Sequence, residues 1–146
     1  MNPTCLDVGE TASFAKTITE ADLVLFAGLT GDFDPIHVNA DYAAGTPFGR
    51  RIAHGALVMG LLSTTASMMS RRSAERGATG TSVSLGYDRI RFLKPVFIGD
   101  TLTARYTIEE VDIAAGRTRS RVEVVNQAGE VCLAGTHIMK WVEAGR

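Results

Sequence analysis

The chain has 146 residues and a formal net charge of -1, with 45% hydrophobic and 21% charged residues. That composition suits one globular domain that can bury a core without metal or disulfide staples. The balanced charge excludes the strongly basic surface of a nucleic-acid or anionic-membrane binder. Two cysteines, Cys5 and Cys132, lack CxxC spacing and zinc partners and read as free thiols of a reducing cytoplasm. Met1 to Glu10 has neither the basic nor the apolar region of a signal peptide.

Residues 10–17 predict a strand. Thr19 then offers an N-cap, with Glu20 and Asp22 in the first turn, where negative charge suits the helix dipole. Leu23, Phe26, Ala27 and Thr30 recur at helical spacing and predict a helix over 20–29, with Gly31 suited to end it. Pro35 stops that helix from continuing and pushes Asp34 toward an extended conformation, so Asp32 to His37 is expected on a stiff loop. Asn39 is a candidate cap for a short helix through Tyr42 and Ala44, and Gly45, Pro47 and Gly49 break the chain again.

Ile52 to Met69 contains no Lys, Arg, Asp or Glu. The run reaches the lower length limit of a membrane span, but its serines, threonines and histidine make it too polar for lipid on all sides. It predicts a buried helix over about 53–70, closed by Arg71 and Arg72, and then a loop over 73–80. Strands follow at 83–92, 101–111, 117–125 and 131–142. Leu102, Ala104, Tyr106 and Ile108 alternate with polar residues, and Arg117, Arg119, Arg121 and Glu123 face outward. Tight turns at Ala115-Gly116 and Gln127-Ala128-Gly129 imply an antiparallel meander. The economical arrangement is an α+β domain spanning 1–146, an antiparallel sheet curled around the long helix.

The chemistry is concentrated in Gly31-Asp32-Phe33-Asp34-Pro35-Ile36-His37, where two carboxylates and an imidazole gather around a proline. A carboxylate and an imidazole held together can bind and deprotonate a water molecule. Downstream, Arg50-Arg51-Ile52-Ala53-His54-Gly55 opens the long helix. A glycine at a helix start can offer its N–H to a developing oxyanion. Such a set suits addition of water to an activated carbonyl compound. Taken singly, Asp32 and Asp34 also fit turn formers, Gly55 a close helix–sheet contact, His54 a core hydrogen bond, and His137 an outward strand position. Arg89, Arg91 and Lys94 cluster near one strand end, where they read as a solvated face or as contacts for the phosphates of an anionic ligand.

Thr30 to His37, with Phe48-Gly49-Arg50-Arg51-Ile52-Ala53-His54-Gly55 downstream, resembles the MaoC-like, (R)-specific enoyl-CoA hydratase family. The resemblance covers nearly the whole chain. It implies a hot-dog fold, hydration of trans-2-enoyl-CoA without a cofactor or metal, and a homodimer with active sites near the subunit interface. It implies that Asp32 and His37 are the catalytic pair and that Gly55 N–H binds the thioester oxygen. Ser63, two turns into the central helix, matches a polar position lining the family's pocket. Asp34 stands where the family most often has Asn, and an ionised Asp can only accept hydrogen bonds. Two other functions fit the sequence less well. A hot-dog thioesterase would want a carboxylate on the central helix, and Ala53 to Ser70 has none. A non-catalytic acyl-CoA sensor would want an effector segment.

Overall fold

The computed structural model describes residues 1–143, so the last three residues of the expected domain lie outside the described residues. Nine elements follow in chain order. They are β1 (Thr11–Thr17), α1 (Glu20–Thr30), α2 (Pro35–Val38), α3 (Ala40–Ala44), α4 (Gly55–Glu75), β2 (Thr81–Phe92), β3 (Thr101–Asp112), β4 (Arg117–Val125) and β5 (Val131–Val142). The strands form one antiparallel sheet in the order β1-β3-β4-β5-β2. The meander β3-β4-β5 is as the turn residues predict, and β2 returns to pair with β5 at the sheet edge.

The sheet folds around α4. Val58, Leu62, Ala66 and Met69 of the helix share one core with Leu102, Tyr106 and Ile108 of β3, Val122 and Val124 of β4, and Leu133 of β5. These strand residues are the inward positions of the period-2 pattern, and the arginines of β4 lie outside. This is the α+β hot-dog arrangement expected above.

Three local expectations need correction. The Asp32–His37 segment is not all loop, because Pro35 begins the one-turn helix α2. Proline is disfavoured inside a helix but suited to its first turn, where its missing N–H has no acceptor to lose. The central helix runs to Glu75 and not to about residue 70. Its last turn is held by tertiary bonds: Ser73 Oγ donates to the Thr4 carbonyl and accepts from Trp141 Nε1 at 2.8 Å, and Arg72 pairs with Glu10 at 2.9 Å. Nor is α4 buried all round. Ala56, Gly60, Ser63 and Ser67 form an open face along β2.

Candidate active site

The Asp32 segment starts from a well-made helix end. Thr19 and Asp22 form a reciprocal capping box at the start of α1, and Gly31 closes the helix in the left-handed conformation at φ 81°. Asp32 therefore leaves the helix at a defined angle. Its carboxylate Oδ1 accepts from Asp34 N–H at 3.2 Å, and Asp34 Oδ1 accepts from Ile36 N–H at 3.1 Å. Asp34 is thus the N-cap of α2. Through Oδ1 its side chain holds the backbone that presents His37, the turn-forming role, and this stands beside the substrate-binding role also expected of Asp34.

His37 is half-buried, and its Nδ1 lies 2.8 Å from the Ile52 carbonyl oxygen. A carbonyl only accepts, so Nδ1 carries the proton and Nε2 is left to work. Ile52 is itself fixed by a bridge to Phe97 and by its N–H to the Ile36 carbonyl at 3.3 Å. Arg51 anchors the same segment to Glu20 of α1 at 2.9 Å.

The third member of the site is His54, 2% exposed, immediately before α4. Its ring stacks on that of His37 with centroids 3.8 Å apart and planes inclined by 25°, and Phe26 closes the other side at 4.7 Å. His54 Nε2 donates to the Asp32 carbonyl oxygen at 3.0 Å, while its buried Nδ1 has no partner among the described residues. One polar atom from each of Asp32, His37 and His54 falls within 4.8 Å of the others. Such a trio invites a metal, but stacked imidazoles send their in-plane lone pairs side by side and not toward one ion. The arrangement handles protons better than it would grip a cation.

Gly55 opens α4, so its N–H has no acceptor within the helix. A Cβ at this position would meet the Phe92 ring at 2.8 Å. Glycine is therefore demanded by packing, and the same absence of a side chain leaves the N–H approachable. His37, Gly55, Phe48, Phe92, Lys94 and Cys132 line one cavity of about 520 Å³. Lys94 in its wall is paired with Glu130. Ser63 is not in that cavity. It lines a neighbouring one of about 400 Å³ along the open face of α4.

The core hydrogen bond expected of His54 is present, to the Asp32 carbonyl, whereas its stacking on His37 depends on a contact between distant segments that the sequence does not show. His137 was expected to face outward and is fully buried. Its Nε2 bonds Ser84 Oγ and its Nδ1 bonds Tyr106 OH, each at 2.8 Å. Burial lowers its pKa from 6.5 to about 4 and is the main reason the Tyr106 phenol is pushed up to about 12. Leu133, Met139 and Trp141 are buried at alternate positions of the same strand, and extending that alternation would have placed His137 with Met139.

An antiparallel sheet wrapped around one helix, with a carboxylate–imidazole set beside the helix start, is the architecture of a hot-dog hydro-lyase. Residues 7–131 match the model of the MaoC like domain, and the chain belongs to that family. Among its relatives, an (R)-specific enoyl-CoA hydratase of Rhodospirillum rubrum is 47% identical over 68% of this chain, which spans 64% of that protein's length. A 3-hydroxybutyryl-CoA dehydratase of Methylorubrum extorquens is 38% identical, covering 92% of this chain and 80% of the relative. The solved structure of the R-hydratase PhaJ1 from Pseudomonas aeruginosa superposes with a TM-score of 0.81 at 34% identity, over 98% of this chain and 86% of that one.

Proposed function

We propose that this protein adds water reversibly to trans-2-enoyl-CoA, giving (R)-3-hydroxyacyl-CoA, with Asp32 and His37 as the water-activating pair. The observation that carries the reading is the gathering of Asp32, His37 and His54 within 4.8 Å of one another, with His37 lining the same cavity as Gly55 at the start of α4. The names of the relatives in Rhodospirillum and Methylorubrum support the same chemistry, run in opposite directions.

In the hydration direction, the water oxygen forms a bond to C3 as its proton passes to one member of the pair. The C2–C3 π electrons move toward the thioester, and the pair passes the water's proton on to C2. The pair ends as it began, the elements of one water having been added across the double bond. Negative charge that grows on the thioester oxygen is met by Gly55 N–H, a contribution of about 3 kcal/mol for a well-placed donor. Water and the pair supply every proton, so the reaction takes no metal or cofactor.

The molecule works as a homodimer in this reading. β2 is an edge strand, and Val83 and Leu85 on it are exposed apolar residues that a second copy would cover. Free thiols at Cys5 and Cys132 suit the cytoplasm, and no helix among the described residues is long and apolar enough to cross a membrane.

The test follows loss of conjugated enoyl absorbance with trans-2-enoyl-CoA esters, using Asp32→Asn and His37→Gln as controls. Turnover that both substitutions abolish is the expected result. Turnover unchanged in both, or none with any ester, overturns the proposal, and release of free CoA would point to a thioesterase.

A further inference from the structure

The end of β2 meets the start of α4 by way of a bulge. The pairing of β2 with β5 slips between Asp88 and Arg91, where Arg89 and Ile90 stand opposite the single residue Gly135. Arg89 takes a left-handed φ of 54° there, a conformation that a residue with a side chain disfavours.

The extra residue changes which side chains face the helix. Strand side chains alternate between the two faces. Tyr87 faces the cavity along α4, its ring 4.7 Å from that of His137. An unbroken strand would carry Arg89 and Arg91 on that same face and would turn Phe92 away. After the bulge it is Ile90 that packs against the core, where Gly135 leaves it room, and Phe92 follows on the same side.

The Phe92 ring ends against Gly55. A Cβ on that glycine would meet Cε1 and Cζ of the ring at 2.8 Å and Cδ1 at 3.0 Å. The backbone just beyond is fixed, because Leu93 N–H donates to the Cys132 carbonyl at 2.7 Å. The rest of the ring is open: Phe92 is 59% exposed and adds little to the core. It lines the cavity that holds His37 and Gly55. Backbone strain of this kind clusters where a side chain is held for function. Here the strain holds an aromatic ring against the helix start.

That helix start is where the thioester oxygen would receive the Gly55 N–H. A hydrogen bond to a growing negative charge is worth most where water cannot reach the same oxygen and screen it. The ring covers the flank of Gly55 on the β2 side, and its open face is free to lie along a bound thioester.

We propose that Phe92, aimed by the Arg89 bulge, is the wall that closes the Gly55 oxyanion site to water. The inference rests on the hydratase reading. It is tested by steady-state kinetics with crotonyl-CoA, together with melting temperatures. Phe92→Ala is expected to lower kcat by about tenfold, with KM changed by less than about threefold and the melting temperature kept. Phe92→Leu should recover part of the loss. A double-mutant cycle tests the contact itself. Gly55→Ala drives a methyl into the ring, so its cost in kcat/KM should be at least about fivefold smaller in the Phe92→Ala background than in the wild type.

A raised KM at unchanged kcat in Phe92→Ala would make the ring a binding surface only. A kcat per folded molecule unchanged beside a lowered melting temperature would make it structural only. Either result overturns the inference and leaves the hydratase reading standing, as does a Gly55→Ala cost equal in the two backgrounds. No turnover of any ester by the wild type overturns the hydratase reading, and this inference with it.

Discussion

The imidazole of His54 lies 3.8 Å from that of His37, ring centroid to centroid, with the planes inclined by only 25°. The same ring donates from Nε2 to the Asp32 carbonyl at 3.0 Å, so one buried side chain sets both members of the proposed pair. Replacing it by phenylalanine keeps an aromatic ring under His37 and removes the donor. His54→Phe is expected to lower kcat by about tenfold to a hundredfold, the cost of a small misplacement of reacting groups, with KM changed less than about threefold. His54→Gln restores an N–H and should recover part of the loss. Steady-state kinetics with melting temperatures separates this from mere destabilisation, in which kcat per folded molecule would stay the same.

Asp34 caps α2, and Asn caps a helix as well as Asp does. Asp34→Asn should therefore keep activity within about tenfold, or about 1.4 kcal/mol. Asp34→Ala loses the bond to Ile36 N–H and should cost about 1 kcal/mol in urea denaturation, with a further fall in kcat as the turn carrying His37 loosens. A loss in Asp34→Asn as large as that in Asp34→Ala would mean that the carboxylate acts on substrate and not on the backbone alone.

The strand pattern of β3 and β4, the cap at Thr19 and the stop at Gly31 were legible because each depends on local rules of spacing and dihedral preference. The helical start at Pro35 was harder to see, since the same proline that ends one helix suits the first turn of another. The length of α4 was not legible at all. Its last turn is held by Thr4, Glu10 and Trp141, which no local pattern connects to Ser73 and Arg72. The site divides in the same way. Asp32, His37 and Gly55 stand out by their residue types and spacing. His54 emerged only when the chain brought residue 54 back against residues 32 and 37, and the placing of Ser63 in a separate cavity needed β2 beside α4.

His137 makes stability depend on pH. Its folded pKa, about 4, lies below the ordinary value of 6.5, because burial disfavours the charged ring. Between these values the unfolded chain binds more protons than the folded one, so stability rises with pH. The contribution is complete above 6.5 and is lost as pH falls toward 4, to a total of about 3 kcal/mol. Chemical denaturation at pH 7, 6, 5 and 4 should show that decline in the wild type and a shallower one in His137→Gln. Equal slopes in the two proteins would mean that His137 is not held neutral in the fold.

The edge strand β2 offers the last prediction. Its pairing to β5 slips at Ser84/Gly86 and again at Asp88/Arg91, and Arg89 takes a positive φ of 54°. Such bulges bend a strand and leave part of its backbone without a ladder partner. Leu85 is 50% exposed and Val83 37% exposed on this edge, with Phe92 and Leu93 exposed at its end. An apolar edge of this length invites a second strand, and a lysine there is the common device that prevents it. Light scattering should give the mass of two chains of 15.6 kDa for the wild type. Leu85→Lys should shift the mass toward one chain, and enoyl-CoA turnover should fall with it, because the cavity beside Ser63 then opens to water on its β2 side. A wild type that runs as a monomer at full activity would remove the second copy from the mechanism.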